Sequence, residues 1–492
     1  MTNMQSRLNE LSPPLELLFD DEKRQSYRQD KSGCRGEIPI AVAKPVNVKQ
    51  IVDLVAASRE TGTKLQVASS RGERYRGETL CAANTVVVDM SAFDEVVRTD
   101  RRNRMLMFEA GVDFASLYRS AKKAGLRPML PLCPHPEKSA LTAYLDREPI
   151  VYPKYQWDAS DPLLCLEAIM GNGRFFRTGG AAGPGRLEDQ WKAGDAQKFP
   201  MGPGASDLMR IFQGAQGGYG IVTWCSAKAE AIPVEETLFV AESSRLEQLI
   251  ELAYDMLRWK LPDICLFLNE TALRAIRSRK GESGIASKTE DWSLVFSISR
   301  PKIAGHKKIA YVRNDIEALL KKHRIKTTPD SGKDGSRKLH RLLTDPTDAL
   351  NRSWWKLAGK ASTRELFFQT TMDRVPKFLA SARQVCLKQG WDWNGVLQYL
   401  QPQTGGRYCH MELVFPHDET PADGLPKQLD RLLPMLTRQL KAEGAYFGRP
   451  YRTFGDAPFQ NESGLSIIKR IKNILDPDSI FSPNGIQYPE TD

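Results

Sequence analysis

The spacing of apolar and polar residues changes repeatedly between residues 37 and 125. Short apolar runs, typical of buried strands, alternate with stretches in which apolar side chains recur every three or four positions, as on one face of a helix. This pattern predicts strands over 38–42, 64–68, 84–89 and 104–109, and helices over 45–61 and 115–124. Strands that alternate with helices in this way indicate an α/β or α+β unit.

The flanking regions show other patterns. We predict a helical lead-in over residues 1–36, because residues 11–19 are rich in apolar side chains. Beyond residue 234, apolar strands over 238–241, 294–298 and 366–369 alternate with amphipathic helices over 246–260 and 375–389. Residues 327–337 are rich in Ser, Gly, Asp and Lys, as in a mobile surface loop. We therefore expect a domain over 37–234 and a separate cap domain over 235–440.

A glycine-rich segment precedes the last predicted strand of the first domain. Glycines occupy positions 214, 217, 218 and 220, and the β-branched pair Ile221 and Val222 follows them directly. Glycine permits positive φ angles and lets the main chain come close to a flat or charged group. The segment therefore predicts a turn that lies against a ligand.

Composition is that of an ordinary globular protein. The chain has 492 residues, of which 41% are hydrophobic and 26% are charged, enough for two or three domains. No apolar run approaches the roughly 20 residues that span a bilayer, and the first 29 residues lack the pattern of a secretory signal, so we expect a cytoplasmic protein. The eight cysteines include no CxxC pair, which argues against a zinc or iron–sulfur site.

The net charge of +10 favours binding partners with negative charge. Much of the excess lies in residues 321–341, for which a solvated surface is the ordinary interpretation. The alternative is a docking face for an acidic electron-carrier protein or an anionic membrane surface. No nucleic-acid-binding motif accompanies the basic residues, so we expect no nucleic-acid partner.

Several segments resemble the flavoproteins related to vanillyl-alcohol oxidase and 4-cresol dehydrogenase. The glycine-rich segment matches their GxxGxxGIVT signature, residues 86–96 match xVVVDxSxFxxV, residues 109–112 match EAGV, and residues 475–485 match the closing xxDPxxIxxPG. The resemblance covers about 37–233 and resumes at about 407. It implies an α+β fold with a two-subdomain FAD-binding domain of the PCMH type and an α+β cap. It also implies that residues 441–492 return to the FAD domain, and that the protein is an FAD-dependent dehydrogenase or oxidase.

The resemblance also implies which residues bind the cofactor. The loop over 69–77 corresponds to the pyrophosphate loop, although it keeps fewer glycines than the family pattern, and hydroxyls and an arginine replace them. A second loop, near residues 138–155, likewise lacks the expected glycines. No histidine or tyrosine occupies the usual attachment points, so we expect dissociable FAD. The candidate cofactor-binding residues are Ser69, Ser70, Arg71, Gly72, Gly77, Thr142, Tyr155, Gly217, Gly220, Ile221, Val222 and Asn484.

The substrate side is assigned in the same way. Tyr451 and Arg452 resemble the Tyr-Arg pair that holds a phenolate oxygen and supplies positive charge near the flavin. An arginine there would stabilise the negative charge that arises on flavin reduction. His410 resembles the histidine of the strand that enters the pocket, although a lone histidine on a strand is more often structural. Alternation places Glu412 on the same face, where it would pair with His410 or Arg452. Tyr152 and Arg449 are candidate substrate-binding residues.

Three functions stay open at this point. The first is oxidation of a small organic substrate, such as a para-substituted phenol, with hydride transfer to flavin N5. The second is a dehydrogenase for a 2-hydroxy acid, in which an arginine holds the carboxylate and His410 takes the hydroxyl proton. The third is a degenerate flavoprotein that acts as a non-catalytic subunit, since the loop glycines are missing. Relatives of this kind often form dimers, so a homodimer is a further expectation.

Overall fold

The structure is a computed structural model of the chain. It describes residues 14–32, 34–72, 74, 76, 79–195, 197–202, 204, 207–278, 291–303, 305–330, 339–419, 426–449 and 462–482. The described residues form three β-sheets with helices between and around them. Within this part of the chain, the helices are all too short or too polar to cross a bilayer.

The first sheet is small and mostly parallel. It consists of β1 (Glu16–Leu18), β2 (Ala41–Lys44), β3 (Lys64–Ala68) and β4 (Thr85–Asp89), in the order β1-β2-β4-β3. Two helices precede β3: α1 (Asp21–Gln25) and α2 (Val48–Thr61). Asn47 caps the first turn of α2, because its side chain accepts a hydrogen bond from the N–H of Gln50. The helix connects β2 to β3, and this crossover lets the two strands run in the same direction.

The lead-in differs from its prediction. In the described part of residues 1–36, β1 lies antiparallel to β2, with Leu17 opposite Ala43, and only the five residues of α1 form an α-helix. Pairing with β2, and not a helical turn, satisfies the main chain of residues 16–18. The first predicted strand also starts late, at Ala41, since Pro39 has no N–H for sheet pairing.

The second sheet is antiparallel and completes the first domain. It consists of β5 (Arg98–Asp100), β6 (Met105–Glu109), β7 (Leu126–Pro128), β8 (Leu163–Met170), β9 (Phe175–Arg177) and β10 (Gly220–Ala231). The order is β5-β6-β10-β8-β9, and β7 pairs with β10. Four helices lie along this part of the chain: α3 (Phe114–Lys123), α4 (Ala140–Leu145), α5 (Leu187–Lys192) and α6 (Met209–Phe212). The glycine-rich segment leads directly into β10, the strand between β6 and β8.

The cap is built on one antiparallel sheet. It consists of β11 (Glu235–Ser243), β12 (Cys265–Asn269), β13 (Trp292–Arg300), β14 (Thr327–Pro329), β15 (Ser362–Thr370), β16 (Leu397–Gln403) and β17 (Tyr408–His417). Its order is β14-β11-β13-β12-β16-β17-β15. Its helices are α7 (Leu246–Arg258), α8 (Glu270–Arg277), α9 (Gly305–His323), α10 (Leu339–Thr344), α11 (Val375–Lys388) and α12 (Lys427–Ala442). The predicted loop over 327–337 begins as β14, and residues 331–338 lie outside the described residues.

Both faces of the cap sheet are buried. On one face, Leu266 and Val295 join the hydrophobic core of the first domain. On the other face, Phe267 and Phe296 pack into a second core together with residues of α7, α11 and α12. Because successive side chains of a strand point to opposite faces, β12 and β13 are buried at almost every position. The cap is therefore seated on the first domain through a continuous apolar layer.

The C-terminal segment returns to the first domain. α13 (Glu462–Leu475) ends next to β8, where the N–H of Gly171 donates to the carbonyl of Leu475 at 2.8 Å. Phe481 then forms a parallel bridge with Leu65 in β3. Asp476 is fully buried at this junction and pairs with Lys472 at 2.5 Å. The first domain is thus assembled from residues on both sides of the cap in the sequence.

Candidate functional site

A deep cleft lies among the loop after β3, the glycine-rich segment, α4 and the cap. It encloses about 1320 Å³, counted up to its open mouth. One part of its wall is apolar, with Leu132, Leu145, Phe212 and the cap residue Trp354. Another part carries the hydroxyl residues Ser69, Ser70, Thr79 and Thr142 and the cations Arg74, Arg76 and Lys138. A long ligand with both rings and anionic groups would match this combination of surfaces.

The glycines of the segment before β10 are required by the packing of the protein itself. A Cβ atom on Gly220 would lie 2.6 Å from the carbonyl oxygen of Ile169 in β8, and one on Gly217 would lie 2.9 Å from Oγ of Ser482. Gly214 and Gly217 also have φ angles of +77° and +71°. The bare main chain that results lines the cleft. The same glycines thus allow tight packing within the protein and expose main chain to a ligand, as predicted.

Hydroxyl and cationic groups of the cleft are held by local contacts. Oγ of Ser70 accepts a hydrogen bond from the N–H of Ser139 at 3.1 Å, which joins the loop after β3 to the start of α4. The guanidinium of Arg74 lies 3.9 Å from the centre of the Tyr27 ring and donates to the carbonyl of Ser26 at 2.7 Å. Arg74 is thereby fixed at the wall of the cleft, where it can meet an anionic ligand.

A network of buried charges lies at the end of the cleft next to the cap. We call it the buried charge ring; its members are Arg76, Lys138, Asp146, Glu148, Lys356, Glu365, His410, Glu412 and Arg449. Four side chains are cationic and four are carboxylates, so the charges balance when His410 is neutral. Balance matters here, because an unpaired charge in the interior costs several kcal/mol.

The contacts of the ring connect residues of the cleft wall to residues of the cap. Nη1 and Nε of Arg76 donate to Glu148 at 2.5 Å and to Glu365 at 2.8 Å, respectively. Lys356 lies 3.1 Å from Glu365 and also donates to Glu412. Burial opposes ionisation of Glu148, but the positive charges of Lys138 and Arg76 outweigh it and hold the pKa of that carboxyl well below its usual value.

His410 closes the ring between Glu412 and Arg449. Nε2 of His410 lies 3.0 Å from Glu412, and its Nδ1 lies 3.3 Å from Nη2 of Arg449. A guanidinium can only donate, so Nδ1 must accept and the proton of the neutral ring must be on Nε2, pointing to Glu412. Burial, assisted by the charge of Arg449, lowers the pKa of His410 to about 4, whereas Glu412 opposes this shift. The pairing of His410 with Glu412 predicted from strand alternation is confirmed.

Arg449 is fixed by contacts on three sides. Its Nη1 donates to the main-chain carbonyl of Asp146 at 3.0 Å, and its guanidinium lies 3.8 Å from the centre of the Phe367 ring. With Phe367 and His410 it lines a cavity far smaller than the main cleft. The next described residue after Arg449 is number 462, so the predicted Tyr451 and Arg452 lie outside the described residues, as do Gly77 and Asn484.

Comparison with known proteins indicates that the chain binds FAD. Residues 39–140 match the family model described as an FAD-binding domain. In structure, the chain is similar to p-cresol methylhydroxylase (16% identity, TM-score 0.78, 98% of this chain and 96% of that one) and to 4-ethylphenol oxidase from Gulosibacter chungangensis (18%, 0.80, 99% and 97%). It is also similar to alkyldihydroxyacetonephosphate synthase (14%, 0.66, 94% and 82%). A sequence search of the curated proteins found no match.

The chain contains an FAD-binding domain, and its fold is that of the PCMH-type flavoproteins. The predicted resemblance, the α+β fold with a cap, FAD as the cofactor and the class of FAD-dependent oxidoreductase are confirmed. At identities of 14–18% the structural likeness itself establishes the fold, and it leaves the substrate open.

The cleft of the flavoprotein fits FAD on the chemistry of its wall. Ser69, Ser70 and Thr142 supply hydroxyl donors, and Arg74 supplies a cation, as a diphosphate requires. The main chain of Gly214 and Gly217 offers a surface without side chains to the flat parts of the cofactor. These residues would hold FAD, even though the loops have fewer glycines than the family pattern. Hydroxyls and arginine would take over the role of the missing glycines.

Three other predicted cofactor residues, Arg71, Gly72 and Ile221, are not among the described residues that line the cleft. Ile221 is buried in the core behind it, while its neighbour Val222 lines it. Arg71 pairs at the surface with Asp94 and donates to the carbonyl of Ser91 at 2.9 Å. At Gly72, an added Cβ would collide with the carboxylate of Glu137 at 1.9 Å. The cofactor roles of these residues stay predictions.

Tyr152 and Tyr155 belong to a second polar cluster between the domains. The hydroxyl of Tyr155 donates to Asp263 at 2.5 Å, and the guanidinium of Arg127 lies 4.5 Å from the centre of the Tyr152 ring. Arg127 also pairs with Glu236 of β11 at 2.9 Å. Burial raises the pKa of Tyr152. Neither tyrosine is among the described residues that line the cleft, so their predicted roles in binding the cofactor and the substrate have no support from the cleft geometry.

The basic segment over 321–341 is partly neutralised. Lys322 and His323 both pair with Asp255 at 2.7 Å, and Arg341 pairs with Asp348 at 3.3 Å. Docking of an acidic electron carrier or a membrane there stays a prediction.

Sequence reasoning missed most of the buried charge ring. Lys356, Glu365 and Arg76 were not singled out. Glu412 lies between the apolar residues Met411 and Leu413, and a charged residue at a buried strand position requires a buried partner. The identity of that partner depends on segments that are distant in the sequence.

Proposed function

We propose that the flavoprotein oxidises a small organic substrate, such as a para-substituted phenol, at a carbon close to the bound cofactor. The observation that carries the proposal is the cleft, whose hydroxyl and cationic wall suits FAD and which ends, next to the cap residue Trp354, at buried charges that include Arg76 and Glu148. When bound, FAD supplies the acceptor for a hydride. The chain's own residues must then position the substrate and exclude water, which the buried cap interface is suited to do.

Binding of the phenolate is assigned to Tyr451 and Arg452 by their resemblance to the family pair. Arg449 supports this assignment, because its contacts with Asp146, His410 and Phe367 anchor the chain just before those two residues. A cation that holds the substrate as a phenolate would raise the electron density at the carbon that loses hydride. Arg449 then acts as a positioning residue that fixes where the pair begins.

The alternative substrate, a 2-hydroxy acid, finds less support. It requires His410 to take the proton of the substrate hydroxyl. In the structure the lone pair on Nδ1 faces Arg449, the proton on Nε2 faces Glu412, and the ring is 2% exposed. Only a rearrangement of Arg449 would free a nitrogen for that role. The arrangement therefore supports the phenol over the hydroxy acid.

Anaerobic reduction of the flavin tests the choice of substrate. Purified protein with FAD is mixed with a panel of para-substituted phenols and a panel of 2-hydroxy acids, and loss of the oxidised flavin absorbance is recorded. We expect loss with one or more phenols, at a rate reduced at least about 100-fold in Arg452→Ala. The control is Arg431→Ala on the exposed side of α12, which should retain the wild-type rate.

Three results would contradict the proposal. Reduction by hydroxy acids alone would establish the alternative substrate. Unchanged reduction in Arg452→Ala would remove that residue from the site. A protein that binds FAD but is reduced by neither panel, even after prolonged incubation, would favour the degenerate, non-catalytic flavoprotein.

A further inference from the structure

Arg76 belongs both to the wall of the FAD cleft and to the buried charge ring. Its side chain lines the FAD cleft, on the loop after β3. The same guanidinium donates to Glu148 of the FAD domain at 2.5 Å and to Glu365 of the cap at 2.8 Å. The ion pair with Glu365 therefore crosses, within the buried charge ring, from the cofactor domain to the cap.

Glu365 reaches the cleft through its ion pairs. It lies in β15, it is buried, and it is not among the described residues that line the cleft. Its second partner, Lys356, binds Glu412 and also lies 5.2 Å from the centre of the ring of Trp354, which lines the cleft. Arg76 is therefore the partner through which Glu365 meets the cleft wall directly, and Lys356 offers an indirect route through Trp354.

A guanidinium between two carboxylates has a fixed orientation. Arginine presents its donors in a planar fork, so two simultaneous pairs hold both the position and the plane of the group. With Glu365 removed, Arg76 would keep its pairs with Glu148 and Asp146 through Nη1 but lose the ion pair made by Nε. The plane of the guanidinium at the cleft wall would then be less tightly held.

We propose that Arg76 is a positioning residue through which the seated cap tightens the FAD site. Glu365 orients Arg76, Arg76 stabilises FAD, and by thermodynamic linkage bound FAD stabilises the contact between the cap and the cofactor domain. This inference rests on the FAD site of the proposed function and is independent of the proposed substrate.

The test compares two variants that each lose one buried ion pair between the domains. Glu365→Gln keeps the size of the side chain and removes the charge that faces Arg76. Glu236→Gln does the same to the pair with Arg127, which is equally buried but lies away from the cleft. Far-UV circular dichroism establishes that both full-length variants are folded.

The first readout is the dissociation constant of FAD from the apoprotein, measured by flavin fluorescence. We expect Glu365→Gln to weaken binding about fivefold or more, which is the lower end of typical coupling between sites. Glu236→Gln should bind FAD as the wild type does. Arg76→Lys keeps the charge without the fork and should resemble Glu365→Gln.

The second readout is amide hydrogen exchange in β15 and β17 of the cap, with and without FAD. Added FAD should slow exchange there in the wild type and in Glu236→Gln, and have little effect in Glu365→Gln. Equal weakening of FAD binding in both variants would overturn the role of Arg76, since it would mean that any loosening of the cap has the same effect. Equal FAD affinity in wild type and Glu365→Gln would also overturn it.

Failure of the proposed function gives a different result. If the wild-type protein binds no FAD, the FAD site itself is wrong and this proposal falls with it. If it binds FAD with no difference among the variants, the FAD site stands and only the coupling is wrong.

Discussion

The FAD domain and the cap build the same cleft by different means. The FAD domain contributes main chain and short polar side chains from compact segments, such as the residues around Ser69 and the glycines before β10. The cap contributes Trp354 to the wall and, behind the wall, the long charged side chains of Lys356 and Glu365, which meet their partners only after the chain has folded. The main-chain surface that suits a nucleotide therefore depends on short segments of sequence, whereas the charged end of the cleft depends on contacts over long sequence distances.

The largest expected effect tests the cap side of this comparison. Lys356→Met removes the cation between Glu365 and Glu412 and leaves two buried carboxylates without it. We expect the free energy of unfolding, measured in urea, to fall by about 4 kcal/mol, as for other buried pairs that lose one partner.

The matched control is Lys360→Met, whose pair with Asp418 is exposed at 2.7 Å. It should cost under about 1 kcal/mol. If both variants lost a similar amount of unfolding free energy, the buried charge ring would contribute no more to stability than a surface ion pair. The difference drawn above between the cap and the FAD domain would then be contradicted.

The next effect tests the main chain of the FAD domain. Gly220→Ala places a Cβ atom 2.6 Å from the carbonyl oxygen of Ile169, so β10 and β8 must separate locally. We expect a loss of about 3 kcal/mol in the free energy of unfolding, together with a lower flavin content of the purified protein.

Gly180→Ala serves as its control, because the nearest atom to the new Cβ would be at 3.7 Å. That variant should retain both stability and flavin. Normal flavin content in Gly220→Ala would show that cofactor binding does not depend on the close approach of these strands.

The smallest effect concerns pH. The pKa of His410 is lowered to about 4 in the folded protein, from about 6.5 for an unperturbed histidine. Between these values the unfolded chain binds a proton that the folded protein does not, so the stability that the neutral ring contributes is lost as the pH falls. We expect His410 to account for a loss of about 2 kcal/mol between pH 7 and pH 4.5.

His410→Gln should show a correspondingly flatter dependence over that window, measured by urea unfolding at each pH. The carboxylates of the ring titrate in both proteins and cancel in the comparison. Parallel curves for the two proteins would contradict the neutral, buried state of His410.

Local patterns allowed much of the FAD domain to be predicted. The strands near residues 64–68 and 84–89, the helix over 45–61 and the glycine turn each depend on a few neighbouring residues, and the structure places them within a few positions of the prediction. The edge strand β1 was wrongly assigned to a helical lead-in, because its pairing with β2 is a tertiary contact. The sequence of a short apolar segment does not distinguish a strand from a helix.

The charged part of the site could not be predicted in the same way. Arg76 and Glu365 are 289 positions apart, and only the seated cap brings them to 2.8 Å. The pairing of His410 with Glu412 followed from strand alternation, since the two residues are neighbours on one face. The contact of Arg449 that fixes the tautomer of His410 joins separate segments, and no pattern along the sequence indicates it.

The bridge between Leu65 and Phe481 also constrains the order in which the protein matures. During translation, β3 leaves the ribosome hundreds of residues before Phe481. The edge of β3 that pairs with Phe481 therefore stays unpaired while the whole cap is translated. We expect FAD to be acquired only after residues 476–481 have left the exit tunnel. Loading would then be a late, post-translational event, and a chain stalled within α13 would emerge without flavin.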